Sequence, residues 1–122
     1  MSLLAALVAG LALSQTPAPQ GHPLADLSPQ NRGDLQCLTL AVVAIGASDD
    51  NEFKAALTSG ATYFYGRLQG REPGTDWLAR LAAYARTEPL DDIEANRERC
   101  IGEVQAMGAA FTAMGESMGG EG

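Results

Sequence analysis

The sequence predicts an all-α protein: a small bundle of about four helices, held by one disulfide and preceded by a signal peptide and a proline-rich leader. Three observations carry that expectation. Alanine is abundant, whereas β-branched and aromatic residues are scarce. The run Leu35 to Ala47 is apolar on nearly every side; its short core also fits a buried strand, but no second strand exists to pair with it. Finally, Cys100, Val104, Met107, Phe111, Met114 and Met118 return at alternating steps of four and three. With Ile93 ahead of them they form a heptad-like seam that other helices have to cover.

The chain begins with an export-type segment. Leu3 to Leu13 is an unbroken run of Leu, Ala, Val and Gly, and the small residues Ala12 and Ser14 suit the −3 and −1 positions of a signal-peptidase site. The run is too short to span a bilayer, which takes about 20 apolar residues. It also lacks Lys or Arg ahead of it, so an uncleaved anchor is the alternative. We therefore expect a signal peptide over 1–14, a flexible leader over 15–30, a helical domain over 31–118 and a disordered tail over 119–122. Export to the periplasm or to the exterior leaves no membrane span after cleavage. The leader holds Pro17, Pro19, Pro23 and Pro29, and His22, the one histidine, has no fixed partner in such an arm.

Each helix has its own start signal. Ser28-Pro29 reads as an N-cap followed by proline at the first helical position, although Gly33 would let the helix begin at Asp34 instead. This first helix, apolar all round, should be the central one. Asp49 with Glu52 resembles a capping box for the second helix, from about Asn51 to Gln69, whose inner face is Phe53, Leu57, Gly60, Phe64 and Leu68. Thr75 or Asp76 caps a third helix to about Arg86, with Leu78, Leu81, Ala82 and Ala85 inward and Asp76 paired to Arg80. Asp91 and Asp92 open the last helix, which carries the seam to Met118.

Composition narrows the function. With 15 acidic against 8 basic residues the net charge is −7, which disfavours nucleic acid and anionic membrane surfaces as partners. No nucleophile–base pair, phosphate loop or metal-ligand spacing is recognisable, so neither an enzyme, nor a cofactor, nor a metal is expected. Protein partners remain. Tyr63, Tyr65 and Arg67 offer a small patch of interface-prone residues for one specific partner, although the same side chains also serve to cover the edge of a core. Met107, Phe111, Met114 and Met118 outreach the three faces available to cover them and form a second candidate surface, compatible with clients or with a homodimer.

The two cysteines are Cys37 and Cys100. In an oxidising compartment two cysteines usually pair, whereas in the cytosol they would more often be free. An export signal, an acidic helical body, an early cysteine in an apolar helix, the aromatic–glycine stretch Tyr63-Phe64-Tyr65-Gly66 and a late cysteine together resemble the HdeA-like periplasmic acid-stress chaperones. The resemblance covers Asp34 to about Met107. It implies a Cys37–Cys100 disulfide and binding of unfolded clients in acid. The chain departs from that family in its long heptad helix after Cys100 and in its lack of lysine-rich character.

Overall fold

The computed structural model describes residues 22–120. The expected signal peptide, the leader before His22 and the last two residues lie outside the described residues. Ser28 opens the helical body: its hydroxyl accepts from the Asn31 N–H at 3.1 Å, Pro29 takes the first helical position, and Gly33 does not interrupt. The first helix, α1, spans Pro29–Ala47 and the second, α2, spans Asn51–Arg71. The cap of α2 is Asp50, one residue later than the expected Asp49, because the Asp50 carboxylate accepts from the N–H groups of Glu52 and Phe53. Asp76 accepts from the Ala79 N–H at 3.0 Å and starts α3, Trp77–Thr87.

A single turn, α4 (Leu90–Glu94), follows Pro89 and carries Asp91 and Asp92 at its start. It does not run on into the last helix. The Asn96 side-chain amide donates to the carbonyls of Asp92 and Ile93, a local bond that competes with the helical ladder. The last helix, α5, therefore begins only at Arg97 and ends at Gly119, about 34 Å long. Ile93, expected as the first member of the seam, belongs to α4 and is buried in the core. Among the described residues there is no strand.

The core forms where α1 and α2, joined by a three-residue turn, lie against each other and α3 crosses them. Leu35, Leu38, Phe64 and Leu68 fill the first contact, and Trp77, Leu81 and Tyr84 close the second. The inward stripe of α3 is thus rotated from the expected one. Trp77 is wholly buried, its indole N–H donating to the Glu72 carbonyl at 3.1 Å, whereas Leu78 is 56% exposed. An indole offers more apolar area than leucine and also needs one acceptor, and this site supplies both.

The leader ends earlier than expected. Leu24 and Leu27 are buried in the core, and a hydrogen bond and an ion pair hold this segment to α3 and its end. His22 Nε2 lies 2.6 Å from Glu88 Oε2, so the histidine does have a partner. Arg80 donates to Asp26 Oδ1 at 2.5 Å instead of pairing with Asp76, which is engaged as a cap.

One charge sits inside the α1–α2 contact. Asp34, 2% exposed, faces two guanidinium groups: Arg67 Nε at 3.1 Å and Arg71. Arg71 also donates to Asn31 Oδ1 at 2.7 Å, and the Asn31 amide donates to Glu72 Oε1 at 3.1 Å. No described buried polar side-chain atom is left without a partner. A satisfied buried network is tolerated, but removing one member strands the others. Asp34→Ala is expected to lower unfolding free energy by about 3 kcal/mol, read from the urea midpoint; a loss under about 1 kcal/mol would contradict this role.

Candidate functional site: an apolar groove and a projecting helix

The polar cluster closes one end of the α1–α2 contact and leaves the other end open. Toward its N-terminus α1 buries Asn31, Asp34, Leu35, Cys37, Leu38 and Thr39. Beyond Ala41 no residue of α1 is buried, and Val42 is exposed. The expectation of a helix buried on all sides therefore holds for its first half only. Three helices cannot surround a fourth along its whole length when one of them, α3, is three turns long.

The uncovered half of α1 becomes the floor of a groove of about 500 Å³, in the size range of ligand sites. Leu40, Ala41 and Ala44 come from α1, and Phe53, Leu57 and Gly60 from α2. The opposite wall is the start of α5, with Ile101 and Val104. Gly60 faces Val104 across the groove: a Cβ at this position would meet Val104 Cγ2 at 3.6 Å, an ordinary packing distance. The polar groups are few, chiefly Glu94, Arg97 and Gln105. Arg97 and Glu94 form a loose pair at 3.6 Å.

The Cys37–Cys100 disulfide, spanning 63 residues of sequence, ties this wall to the floor. Both cysteines are buried and both line the groove. Arg99 adds a polar fastening beside it, donating to Gln36 Oε1 at 3.0 Å, while its pair with Glu103 at 3.6 Å lies within α5. By the chain-entropy model a closed loop of this length is worth about 4 kcal/mol.

Past this fastening α5 leaves the body. Cys100 is its one buried residue, and from Ala109 onward every described residue of α5 is exposed. Phe111, Met114 and Met118 are 69%, 61% and 69% exposed, and Met107 is half-buried. Of the seam, Cys100 and Val104 are covered by the body, and the faces of α1, α2 and α3 do not reach Phe111, Met114 or Met118. Those faces are spent on the core around Trp77 and Phe64, or on the groove. The four residues form one apolar stripe that continues from Val104 at the groove rim, half-buried at Met107 and exposed at Phe111, Met114 and Met118.

Tyr63, Tyr65 and Arg67 occupy a different place. Arg67 Nη1 donates to the Tyr63 hydroxyl at 2.7 Å, and its guanidinium carbon lies 5.2 Å from the Tyr63 ring centroid. Its Nε faces Asp34. Burial pulls the Arg67 pKa down, but the Tyr63 hydrogen bond and the Asp34 charge outweigh it and the net shift is upward. The Tyr65 hydroxyl accepts from Gln69 at 2.8 Å. Arg67 fastens α2 to α1 through Asp34, whereas the Tyr65–Gln69 bond lies within α2. Asp34 was readable only as a helix cap, because nothing local in sequence ties it to Arg67 or Arg71.

Among the described residues no helix is long and apolar enough to cross a membrane, and no group of three or more His, Cys, Asp or Glu side chains gathers as a metal site. What the arrangement can do is bury another apolar surface. Ala44→Phe, which fills the groove floor, is expected to reduce binding of an apolar fluorescent dye several-fold, while Leu78→Asn, outside the groove, leaves it unchanged. Equal dye binding by both variants would exclude the groove as the site. No protein-family model, curated protein or solved structure matches the chain.

Proposed function

We propose that the chain is an exported, periplasmic or secreted binding protein without catalytic activity. Its groove takes apolar segments of other proteins, as an envelope stress chaperone does with unfolded clients. The observation that carries this reading is the apolar groove beside the Cys37–Cys100 disulfide, open to solvent and continuous with the methionine and phenylalanine stripe of α5. Apolar surfaces of this kind mark interaction sites, and methionine adapts to varied partners. A disulfide suits an oxidising compartment. The accessory role through Tyr63, Tyr65 and Arg67 has less support, because Arg67 is engaged with Tyr63 and Asp34.

Acid is the condition in which such a protein would act, in keeping with the resemblance to the HdeA-like chaperones. With 15 acidic and 8 basic residues the net charge changes sign once the carboxyl groups are protonated, and self-repulsion then loosens packing. One contact shows the direction. The hydrogen bond from Arg80 holds the Asp26 pKa below the usual carboxylate value. A depressed carboxyl contributes stability above its unfolded pKa and loses it as pH falls through the folded pKa, so the leader's hold on α3 weakens in acid.

Light scattering of an acid-denatured client at about pH 2–3 tests this reading. Suppression of aggregation by the wild-type protein, weakened by Ala44→Phe, is the expected outcome. Suppression no better than that of an unrelated acidic helical protein would overturn it. A neutral-pH pull-down that returns one stoichiometric partner would favour the accessory role instead.

A further inference from the structure

The distal half of α5 lacks what an isolated helix needs. Residues 104–119 hold one charged side chain, Glu116, and so no ion pair along the helix. They also hold Gly108 and Gly115 in the helix interior. A Cβ at either glycine would meet nothing within 4 Å, so no contact among the described residues explains their small size. Short helices without strong propensity or tertiary packing are marginal in water. The exposed positions nevertheless keep the four–three spacing of a helix-packing seam.

We propose that a second copy of this chain covers this face, with the two α5 helices packed antiparallel. The seam matches itself in that order. Turned about the level of Ala109, Met107 lies level with Phe111 and the exposed edge of Val104 with Met114, while Met118 reaches the level of Cys100, which is buried within its own chain. Gly108, Ala110, Gly115 and Ser117 flank the seam, small and uncharged, and let the two helices approach closely. Met118 of each copy arrives beside Cys100 and Ile101 of the other, at the groove rim where Ile101 is exposed.

Charge selects the orientation. Each chain carries a net −7, nearly all of it away from the distal half of α5. A parallel pair would set the two acidic bodies side by side. The antiparallel pair sets them at opposite ends of helices about 34 Å long, several times the Debye length of about 8 Å. The area is adequate as well. Phe111, Met114 and Met118 each expose on the order of 100 Å², and with Val104, Ile101 and the small flanking residues the two copies approach the roughly 1,000 Å² of a specific interface. The proposal does not rest on client binding, since it is read from α5 itself, although Ile101 and Val104 at the start of the stripe also line the groove.

Sedimentation equilibrium of the full exported protein, disulfide intact and without client, at neutral pH and up to about 100 µM tests it. The expected mass is twice that of the chain found by mass spectrometry. Phe111→Glu is expected to weaken the association at least about tenfold, whereas Ala109→Glu, on the opposite side of α5, leaves it intact. A wild-type monomer throughout this range, or a dimer indifferent to Phe111→Glu, would overturn the proposal. Nitroxide labels on Ser117→Cys report the order: about 24 Å or more between labels for the antiparallel pair, against about 10 Å for a parallel one, which would overturn the orientation.

Discussion

The attachment of α5 to α1 governs what this molecule can present to a partner. α5 makes few contacts with the rest of the fold, and the Cys37–Cys100 disulfide sits where those contacts begin. A covalent link at the first turn of α5 fixes its entry beside α1 without requiring its remaining length to be packed. The consequence is a helix with two parts. Its first turns are the wall of a groove, and its distal turns are an apolar stripe in solvent. A helix held by packing alone would have had to spend that stripe on the core.

The other end of the hairpin is organised by opposite means. Asp34, Arg67, Arg71 and Asn31 close the N-terminal half of α1 against the C-terminal half of α2 with directional bonds. A buried ionic network of this kind contributes specificity of register more readily than net stability. It places the hairpin so that Trp77, Leu81 and Tyr84 of α3 complete the core at that end. Among the described residues no helix remains to cover Leu40, Ala44, Phe53 and Leu57, and the groove is what this asymmetry leaves. The site and the core are therefore two outcomes of one distribution of covering helices.

Helix starts were legible wherever a cap and a first turn lay within four residues of each other. Ser28 with Pro29 and Asp76 are such cases; Asp50 shifted by one residue because Ser48, Asp49 and Asp50 are near-equivalent acceptors in sequence. The all-helical class followed from composition and from the absence of a partner strand. Faces were less legible. The α3 stripe was misplaced because Leu78 and Trp77 are both apolar and adjacent, and burial depended on an acceptor, the Glu72 carbonyl, supplied by another element. The seam is legible as a pattern, and its length against the three covering faces marks Met107 to Met118 as its open end, but periodicity alone does not report where cover stops. The break at Asn96 and the ion pairs of Asp34 depend on contacts that no local spacing announces.

Amide hydrogen exchange on the Cys37→Ala, Cys100→Ala double variant, compared with the oxidised wild type, tests most directly whether the disulfide is what holds α5 as the groove wall. The account expects residues 100–105 to lose most of their protection, while amides around Leu35, Leu38, Phe64 and Leu68 keep theirs. Unchanged protection of α5 in the variant would show that packing alone places it, and would contradict the account.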